Sequence, residues 1–215
     1  IFQAHVTYQQ GMMWFLANDS AVPEPMRAKV KTFGLPRDQF AETDGWPHEL
    51  YVREGRRMIS DYVMTEHECL GKKVPADSVG LASYTMDSHH TSRVVIGGVV
   101  QAEGNVEQRT PQPFPVSYRA IVPRERECAN LLVPVALSSS HIAFGSIRME
   151  PVFMLLGQSA ATAAALAIDA KTSVQKVDYA ALRARLLRDK QILAWVPPAA
   201  APPEAGGKGK AKAKK

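Results

Sequence analysis

Apolar residues near the start of the chain recur at helical spacing. Met26, Val30 and Phe33 occupy positions i, i+4 and i+7 after Pro25, and Gly34 follows where helices often stop. This pattern predicts a short amphipathic helix.

A second helical pattern covers residues 48–64. Its two sides differ in polarity, with Leu50, Ile59 and Tyr62 on one and Arg53, Arg56 and Arg57 on the other. Gly55 in the middle costs about 1 kcal/mol relative to alanine, but it does not remove the pattern. We therefore expect residues 1–70 to form helices separated by Pro and Gly.

From Ser78 the chain changes to short runs rich in valine and other β-forming residues. Four of these runs predict strands, at residues 79–86, 93–101, 116–122 and 131–137. Turn-forming residues separate them, among them Gly104 and Asn105 and the Pro-rich stretch 111–115.

Small polar residues follow the last predicted strand. Ser138 to Ser140 and His141 are followed by a glycine-containing segment, which we interpret as a loop leading into a long, alanine-rich helix over 151–169. A last helix is predicted to begin at Asp178, a good N-cap, and to bury Leu182 and Leu186.

Composition changes this interpretation mainly at the C-terminus. A chain of 215 residues with 46% hydrophobic residues can bury a sizeable core. Almost all of its net charge of +5 lies in residues 197–215, which carry five lysines against Glu204. We predict a disordered Pro/Ala/Lys tail over 194–215, and its composition favours a solvated tail over contact with nucleic acid or anionic lipid.

Cysteine count and apolar run length exclude other classes. Cys69 and Cys128 are too few and too far apart for a metal knuckle or a disulfide scaffold. The longest apolar stretch, 160–168, is interrupted by Thr162 and falls short of the roughly 18 residues of a membrane span. The chain begins at Ile1 without a methionine, so we expect that processing or truncation removed an earlier segment.

The predicted strand, turn and helix over 130–169 form the strongest candidate binding site. A helix start has unpaired backbone N–H groups and a partial positive charge, so it suits an anion or an electron-rich ring edge. The alternative is a packed α/β layer that binds no ligand.

Motifs in this region resemble a known enzyme family. They read NLLVPVALSSSH at 130–141, GSIRMEP at 145–151 and GQSAATAAAL at 157–166. Similar motifs occur upstream, namely GWPHELYVR at 45–53, YVMTE at 62–66, YTMDSHH at 84–90, and Tyr118 and Arg119 with Pro123. Together they resemble the bacterial FAD-dependent oxidoreductase family, which is related in fold to glutathione reductase and the succinate dehydrogenase flavoproteins. The resemblance extends over about residues 1–193.

The resemblance implies a mixed α/β fold. In this family an FAD-binding domain is assembled from two separate parts of the chain, and a substrate domain is inserted between them. We therefore predict a helical segment of the substrate region at 1–77, a β-rich substrate domain at 78–128, and the C-terminal half of a glutathione-reductase-type FAD-binding domain at 129–193.

The family's dinucleotide motif does not occur in this sequence. Gly97, Gly98 and Gly104 lack the G-x-G-x-x-G spacing and stand in a strand or hairpin context. We therefore expect the pyrophosphate cradle to be missing and FAD affinity to be very weak unless a partner supplies the N-terminal half. Lys171 stands where relatives tend to have glycine, which concerns only the end of the long helix.

The resemblance also implies a set of flavin contacts around the start of that helix. They are Ser139, Ser140, Gly145, Ser146, Ile147, Arg148, Met149 and Pro151. Hydride transfer to flavin leaves negative charge at one edge of the ring, which a helix start and a cation stabilise. Arg148 is the candidate cation, and the alternative for it is a surface or ribityl-facing arginine.

Three histidines are candidate catalytic residues. His89 or His90 could remove a hydroxyl proton as the hydride leaves, but adjacent residues of a strand face opposite ways, so we expect only one to act. His141 could hydrogen-bond flavin or substrate, or be a buried histidine bonded to a backbone carbonyl. Metal binding by His89, His90 and Asp87 lacks a fourth ligand at a recognisable spacing.

Tyr84, Tyr118 and Arg119 are candidate contacts for an oxygen-rich substrate, and core tyrosines with a surface arginine are the alternative. The prediction is thus the C-terminal portion of an FAD-dependent oxidoreductase that takes hydride from a small, hydroxylated substrate. The competing hypothesis is a truncated, non-catalytic binding or interaction protein with the same partial fold.

Overall fold

The computed structural model describes residues 1–197, which divide into one compact unit at residues 1–53 and a second that begins at Glu54. The described residues contain six α-helices and three two-stranded antiparallel sheets, so the predicted mixed α/β class is confirmed. The predicted domain limits at 77, 128 and 193 stay predictions. Most of the predicted tail, from residue 198 onward, lies outside the described residues.

The first unit is helical. Helix α1 (Phe2–Asn18) buries only Val6. Helix α2 (Glu24–Val30) has Pro25 in its first turn, as predicted, but it ends before Phe33 and none of its residues is buried. A single 3-10 turn follows at Ala41–Thr43.

The helix predicted over 48–64 is wrong, because the later part of this segment pairs with a distant one. Met58 donates its N–H to Ala136, and Met64 donates to Ser138, at 2.9 and 3.0 Å. These backbone groups are therefore not available for i to i−4 bonds. Helix α3 (Glu66–Cys69) begins just after this segment, where Thr65 and Glu68 form a capping box.

The strands are shorter and more numerous than predicted. The three pairs are β1 (Ser78–Ala82) with β6 (Phe114–Ser117), β2 (Met86–Ser88) with β5 (Val106–Gln108), and β3 (Ser92–Ile96) with β4 (Val99–Glu103). The run 79–86 is thus divided between two strands. The run 93–101 is a hairpin that turns at Gly97 and Gly98, both with positive φ. The run 116–122 leaves β6 for a 3-10 turn at Tyr118–Ala120.

The strand predicted over 131–137 is also wrong. Pro134 has no N–H to give to a ladder, and the segment makes only scattered bonds, such as Val133 N–H to Ile121 and Ser138 N–H to Ala120. The segment bends at residues 134–136 and is followed by one parallel bridge between Ser139 and Met64.

Three helices complete the chain. Helix α4 (His141–Ile147) occupies part of the segment that we interpreted as a loop. Helices α5 (Glu150–Asp169) and α6 (Tyr179–Arg188) are confirmed, with Asp178 capping α6 by accepting a bond from Ala180 N–H. Leu182 and Leu186 are fully buried, as predicted.

Helix α5 packs on β1 in the core of the second unit. Ser159 donates to the Val79 carbonyl at 2.7 Å, and Val152, Leu156 and Ala163 are buried. Among the described residues, this helix alone is long and apolar enough to cross a bilayer, with a mean hydropathy of 1.6. Its buried face makes that measure weak support for a membrane span.

Candidate active site

Helix α4 brings the candidate site residues together. It begins at His141 because the Ser140 hydroxyl accepts a bond from Ala143 N–H at 3.2 Å. Gly145 faces β2 so closely that a Cβ there would lie 2.6 Å from the Asp87 carbonyl oxygen. A side chain at this position would therefore push the strand and helix apart.

Arg148, directly after α4, forms a buried ion pair. Its Nη2 atom lies 2.8 Å from Asp87 Oδ2 and 3.2 Å from the Asp87 carbonyl oxygen. The arginine side chain is only 4% exposed, and its Nε atom is buried without a hydrogen-bond partner. Because a buried cation needs compensation, Asp87 is what makes this position tolerable for arginine.

The same carboxylate oxygen holds His89. Its Nε2 atom lies 3.3 Å from Asp87 Oδ2, and the histidine side chain is 53% exposed. Asp87 therefore contacts both a buried cation and an imidazole that solvent or substrate can reach. His90, the next residue, is exposed.

Both ring nitrogens of His141 are engaged. Nδ1 lies 2.9 Å from Glu54 Oε2, and Nε2 lies 2.8 Å from Ser88 Oγ. In the neutral imidazole, the carboxylate fixes the proton on Nδ1 and Nε2 accepts from the serine. His141 thus links residue 54 to β2 and has no nitrogen left for another ligand while these bonds hold.

The expected flavin contacts differ in what they already bind. Ser140 caps α4, the Ser146 hydroxyl donates to the Tyr84 carbonyl, and Ile147 is buried in the core. Met149 is the N-cap of α5, and Pro151 lies in its first turn. Ser139 differs from these, because its hydroxyl is buried without a hydrogen-bond partner.

The polar atoms that remain fit a flavin. Ser139 Oγ and Arg148 Nε are two of the four buried polar side-chain atoms without a partner in the described residues, and both belong to expected flavin contacts. Both can donate, and the edge of an isoalloxazine ring offers nitrogen and oxygen acceptors. Arg148 also carries the positive charge that a reduced flavin requires nearby.

The three candidate substrate contacts are more dispersed. Tyr84 is 45% exposed, and its carbonyl receives the Ser146 bond. Tyr118 is buried and donates its hydroxyl to the Val174 carbonyl, and burial raises its pKa. Arg119 pairs with Asp77 through two side-chain hydrogen bonds. Burial raises the pKa of the Asp77 carboxyl, but the hydrogen bonds from Arg119 outweigh burial, so the pKa lies below its ordinary value. The hydrogen bonds of Tyr118 and Arg119 thus go to structural partners.

The sequence did not predict a role in the site for two residues that contact His141, Glu54 and Ser88. Glu54 stands among arginines outside the recognised motifs, and Ser88 lies inside the motif at 84–90 without a role assigned to it. Asp87 stood out only as a weak metal ligand. Its position before two histidines is the signal that could have identified it as a partner for His89. No group of three or more metal-binding side chains occurs within residues 1–197.

The described residues thus place a buried cation and an accessible imidazole on one carboxylate, in a mixed α/β chain. The chain belongs to the FAD-dependent oxidoreductase family, whose model, described as FAD dependent oxidoreductase, matches residues 2–186. FAD is therefore its cofactor. No curated protein and no solved structure matches the chain.

Proposed function

We propose that this chain forms the flavin-ring and substrate side of an FAD-dependent oxidoreductase that oxidises a small hydroxylated substrate. One observation carries the proposal: Asp87 Oδ2 lies 2.8 Å from Arg148 and 3.3 Å from His89. A single carboxylate oxygen thus joins a buried cation to an accessible base.

Arg148 is the proposed flavin-edge cation. FAD, when bound, accepts the hydride that the substrate releases. The unpartnered Nε–H of Arg148 would donate to the ring edge, and its charge would stabilise the electrons that arrive there. Ser139 Oγ would contribute a second donor.

His89 is the proposed base. Asp87 holds the proton on Nε2, which leaves the Nδ1 lone pair to accept the substrate hydroxyl proton. The carbinol carbon gives up its hydride, the hydroxyl gives its proton to His89, and the substrate leaves as a carbonyl compound. His141 has a positioning role, because its nitrogens are bonded to Glu54 and Ser88.

We also propose that the pyrophosphate of FAD is bound by residues that are not among these 215. The support is the lack of a G-x-G-x-x-G motif in the sequence. FAD titration by flavin fluorescence should give weak binding to this chain alone and tight binding after a dinucleotide-binding half is added. Failure to bind FAD in both cases would favour the non-catalytic binding protein instead.

Flavin reduction by small alcohols and polyols, measured anaerobically in the FAD-loaded protein, tests the assignment of the base. His89→Asn should slow reduction by about 10²–10⁴-fold, the usual contribution of a general base. Arg148→Met should weaken FAD binding and slow reduction together.

His67→Asn is the matched control, because His67 is an exposed histidine of the same unit that pairs only with neighbouring Glu66. It should leave reduction unchanged. An equal loss in His67→Asn, or no loss in His89→Asn, would contradict the assignment.

A further inference from the structure

Arg57 lies beside the proposed active site with its charge uncompensated. Its Nε atom donates to the Ser139 carbonyl at 3.1 Å, and Nη1 donates to the Gly55 carbonyl at 3.0 Å. Its guanidinium carbon lies 5.2 Å from the centre of the Phe144 ring on α4. Two carbonyls and an aromatic face therefore hold the guanidinium in place, and residues 54–197 supply no counter-ion to it.

The other arginines of the second unit that are at least partly buried behave differently. Arg124 pairs with Asp61 at 3.0 Å, and Arg148 pairs with Asp87 at 2.8 Å. Within residues 54–197, no carboxylate lies within 4.0 Å of Arg57; the nearby Glu54 bonds to His141 instead. A partly buried cation without a partner costs free energy, which an anionic ligand would recover.

The geometry leaves one edge of Arg57 open. A guanidinium has five N–H donors. Nε and one proton of Nη1 are used within the described residues, which leaves one proton of Nη1 and both protons of Nη2. Two parallel donors at this spacing match the two oxygens of a carboxylate.

The contacts of Arg57 also fix its location. It binds the carbonyl of Ser139, whose hydroxyl is buried and unpartnered, and it stacks on α4, the helix that carries Gly145 against Asp87. An anion on Arg57 would therefore lie next to the proposed flavin-facing residues.

We propose that Arg57 binds a carboxylate of the substrate, so that the substrate is a small hydroxy acid. This inference rests on the proposed function, because it assigns a substrate class to the same site. Arg57 donates hydrogen bonds from Nη1 and Nη2 to the carboxylate and thereby orients the hydroxyl-bearing carbon.

Isothermal titration of the full chain with malonate, a carboxylate without a hydroxyl, tests this assignment without any turnover. Arg57→Gln should weaken malonate binding at least 10-fold, as expected when a charge-assisted bidentate contact is lost. Arg57→Lys keeps the positive charge but not the two parallel N–H donors, so its malonate affinity should lie between those of the wild type and Arg57→Gln. Inorganic phosphate should bind more weakly than malonate.

Arg56→Gln is the matched control, because Arg56 is the exposed neighbour in the same segment. It should bind malonate like the wild type. Equal malonate affinity in wild type and Arg57→Gln overturns the proposal, as does an equal loss in both arginine variants or a preference for phosphate. If Arg57→Gln does not fold, the intermediate affinity expected of Arg57→Lys decides the question.

Flavin reduction separates this proposal from the proposed function. Faster reduction by 2-hydroxy acids than by neutral polyols, with the preference lost in Arg57→Gln, supports both. Equal rates of flavin reduction by both compound classes would leave the proposed oxidation of a hydroxylated substrate standing and would overturn the role of Arg57. Arg57-dependent malonate binding without any flavin reduction supports the carboxylate site and contradicts the proposed function.

Discussion

Two charged clusters in the second unit differ in how completely their polar atoms are paired. The first is the α4 site, formed by Arg57, Asp87, His89, Ser139, His141 and Arg148. The second, which we call the Glu68 network, consists of Tyr62, Thr65, Glu68 and Lys73. The first leaves donors open, and the second leaves none of its carboxylate oxygens unpaired.

The Glu68 network surrounds a fully buried carboxylate. Oε1 accepts from the Tyr62 hydroxyl at 2.7 Å and from Lys73 at 2.8 Å, and Oε2 accepts from the Thr65 hydroxyl and N–H at 2.7 and 2.8 Å. Lys73 also lies over the Tyr62 ring at 4.3 Å. Every acceptor is used by the chain itself, so this cluster has the character of a structural anchor.

The α4 site has the opposite character. Within residues 54–197, Arg148 Nε and Ser139 Oγ are buried without partners, and no carboxylate lies beside the charge of Arg57. Such unpaired atoms lower stability unless a ligand satisfies them. Burial of charge alone therefore does not identify a binding site, whereas buried charge together with hydrogen-bond donors that have no acceptor does.

Glu68→Ala should give the largest effect. It leaves the Tyr62 hydroxyl and the Thr65 N–H without their acceptor, so the free energy of unfolding should fall by about 3–5 kcal/mol. The labelling rate of the fully buried Cys69 thiol, measured in a Cys128→Ser background, reports opening of this region and should rise steeply.

The control for this prediction is Glu66→Ala, on the same short helix. Glu66 is partly exposed and its ion pair with His67 is long at 3.6 Å, so its loss should cost less than about 1 kcal/mol. Equal labelling rates in the two variants would show that the Glu68 network is not an anchor.

Acidification should have the next largest effect. Burial would raise the pKa of Glu68, but hydrogen bonds from Lys73, Thr65 and Tyr62 outweigh it and lower the pKa to about 2 from an ordinary 4.5. A lowered carboxyl pKa stabilises the fold above the unfolded value, and this contribution disappears as pH falls from about 4.5 towards 2. Its full size is about 3 kcal/mol.

Urea unfolding between pH 6 and pH 2.5, followed by circular dichroism, measures this loss. The wild type should lose stability across this range, and Glu68→Gln should be less stable at pH 6 but show a smaller pH dependence. Parallel curves for the two proteins would mean that other carboxylates, such as Asp77 with its lowered pKa, account for the acid sensitivity.

Elements that depend on local sequence signals could be predicted, whereas elements that depend on residues distant in the sequence could not. Helices α5 and α6 follow from local signals, Pro151 in the first turn and the Asp178 cap, and both are confirmed. The helix predicted over 48–64 and the strand predicted over 131–137 were wrong. The backbones of these segments bond to each other, as Met58 does with Ala136, and to the 3-10 turn after β6. Local periodicity does not report partners so distant in sequence.

The candidate site shows the same division. Arg148 and Ser139 were predicted through a resemblance carried by two motifs that lie close together in the sequence, at 130–141 and 145–151. The partner of Arg148, Asp87, lies 61 positions away, and the packing of α4 on β2, close at Gly145, brings the two together. Glu54 and Ser88 could not be predicted, because their role exists only once His141 lies between them.

Gly145→Ala should have the smallest of these effects on stability and a specific one on the site. The added Cβ would lie 2.6 Å from the Asp87 carbonyl oxygen and 3.1 Å from its nitrogen, and both are backbone atoms that cannot rotate away. Overpacking of this kind costs about 1–3 kcal/mol. Because Asp87 must move with its strand, its bonds to Arg148 and His89 should lengthen, and FAD binding should weaken with them.

Gly157→Ala is the matched control, since Gly157 lies on α5 and a Cβ there meets nothing within 4 Å. In a helix interior this change should stabilise the protein by up to about 1 kcal/mol. Opposite shifts in melting temperature, with FAD affinity reduced only in Gly145→Ala, would tie the site to the close approach of α4 and β2. Equal shifts of the same sign would mean that Asp87 reaches Arg148 without that close approach.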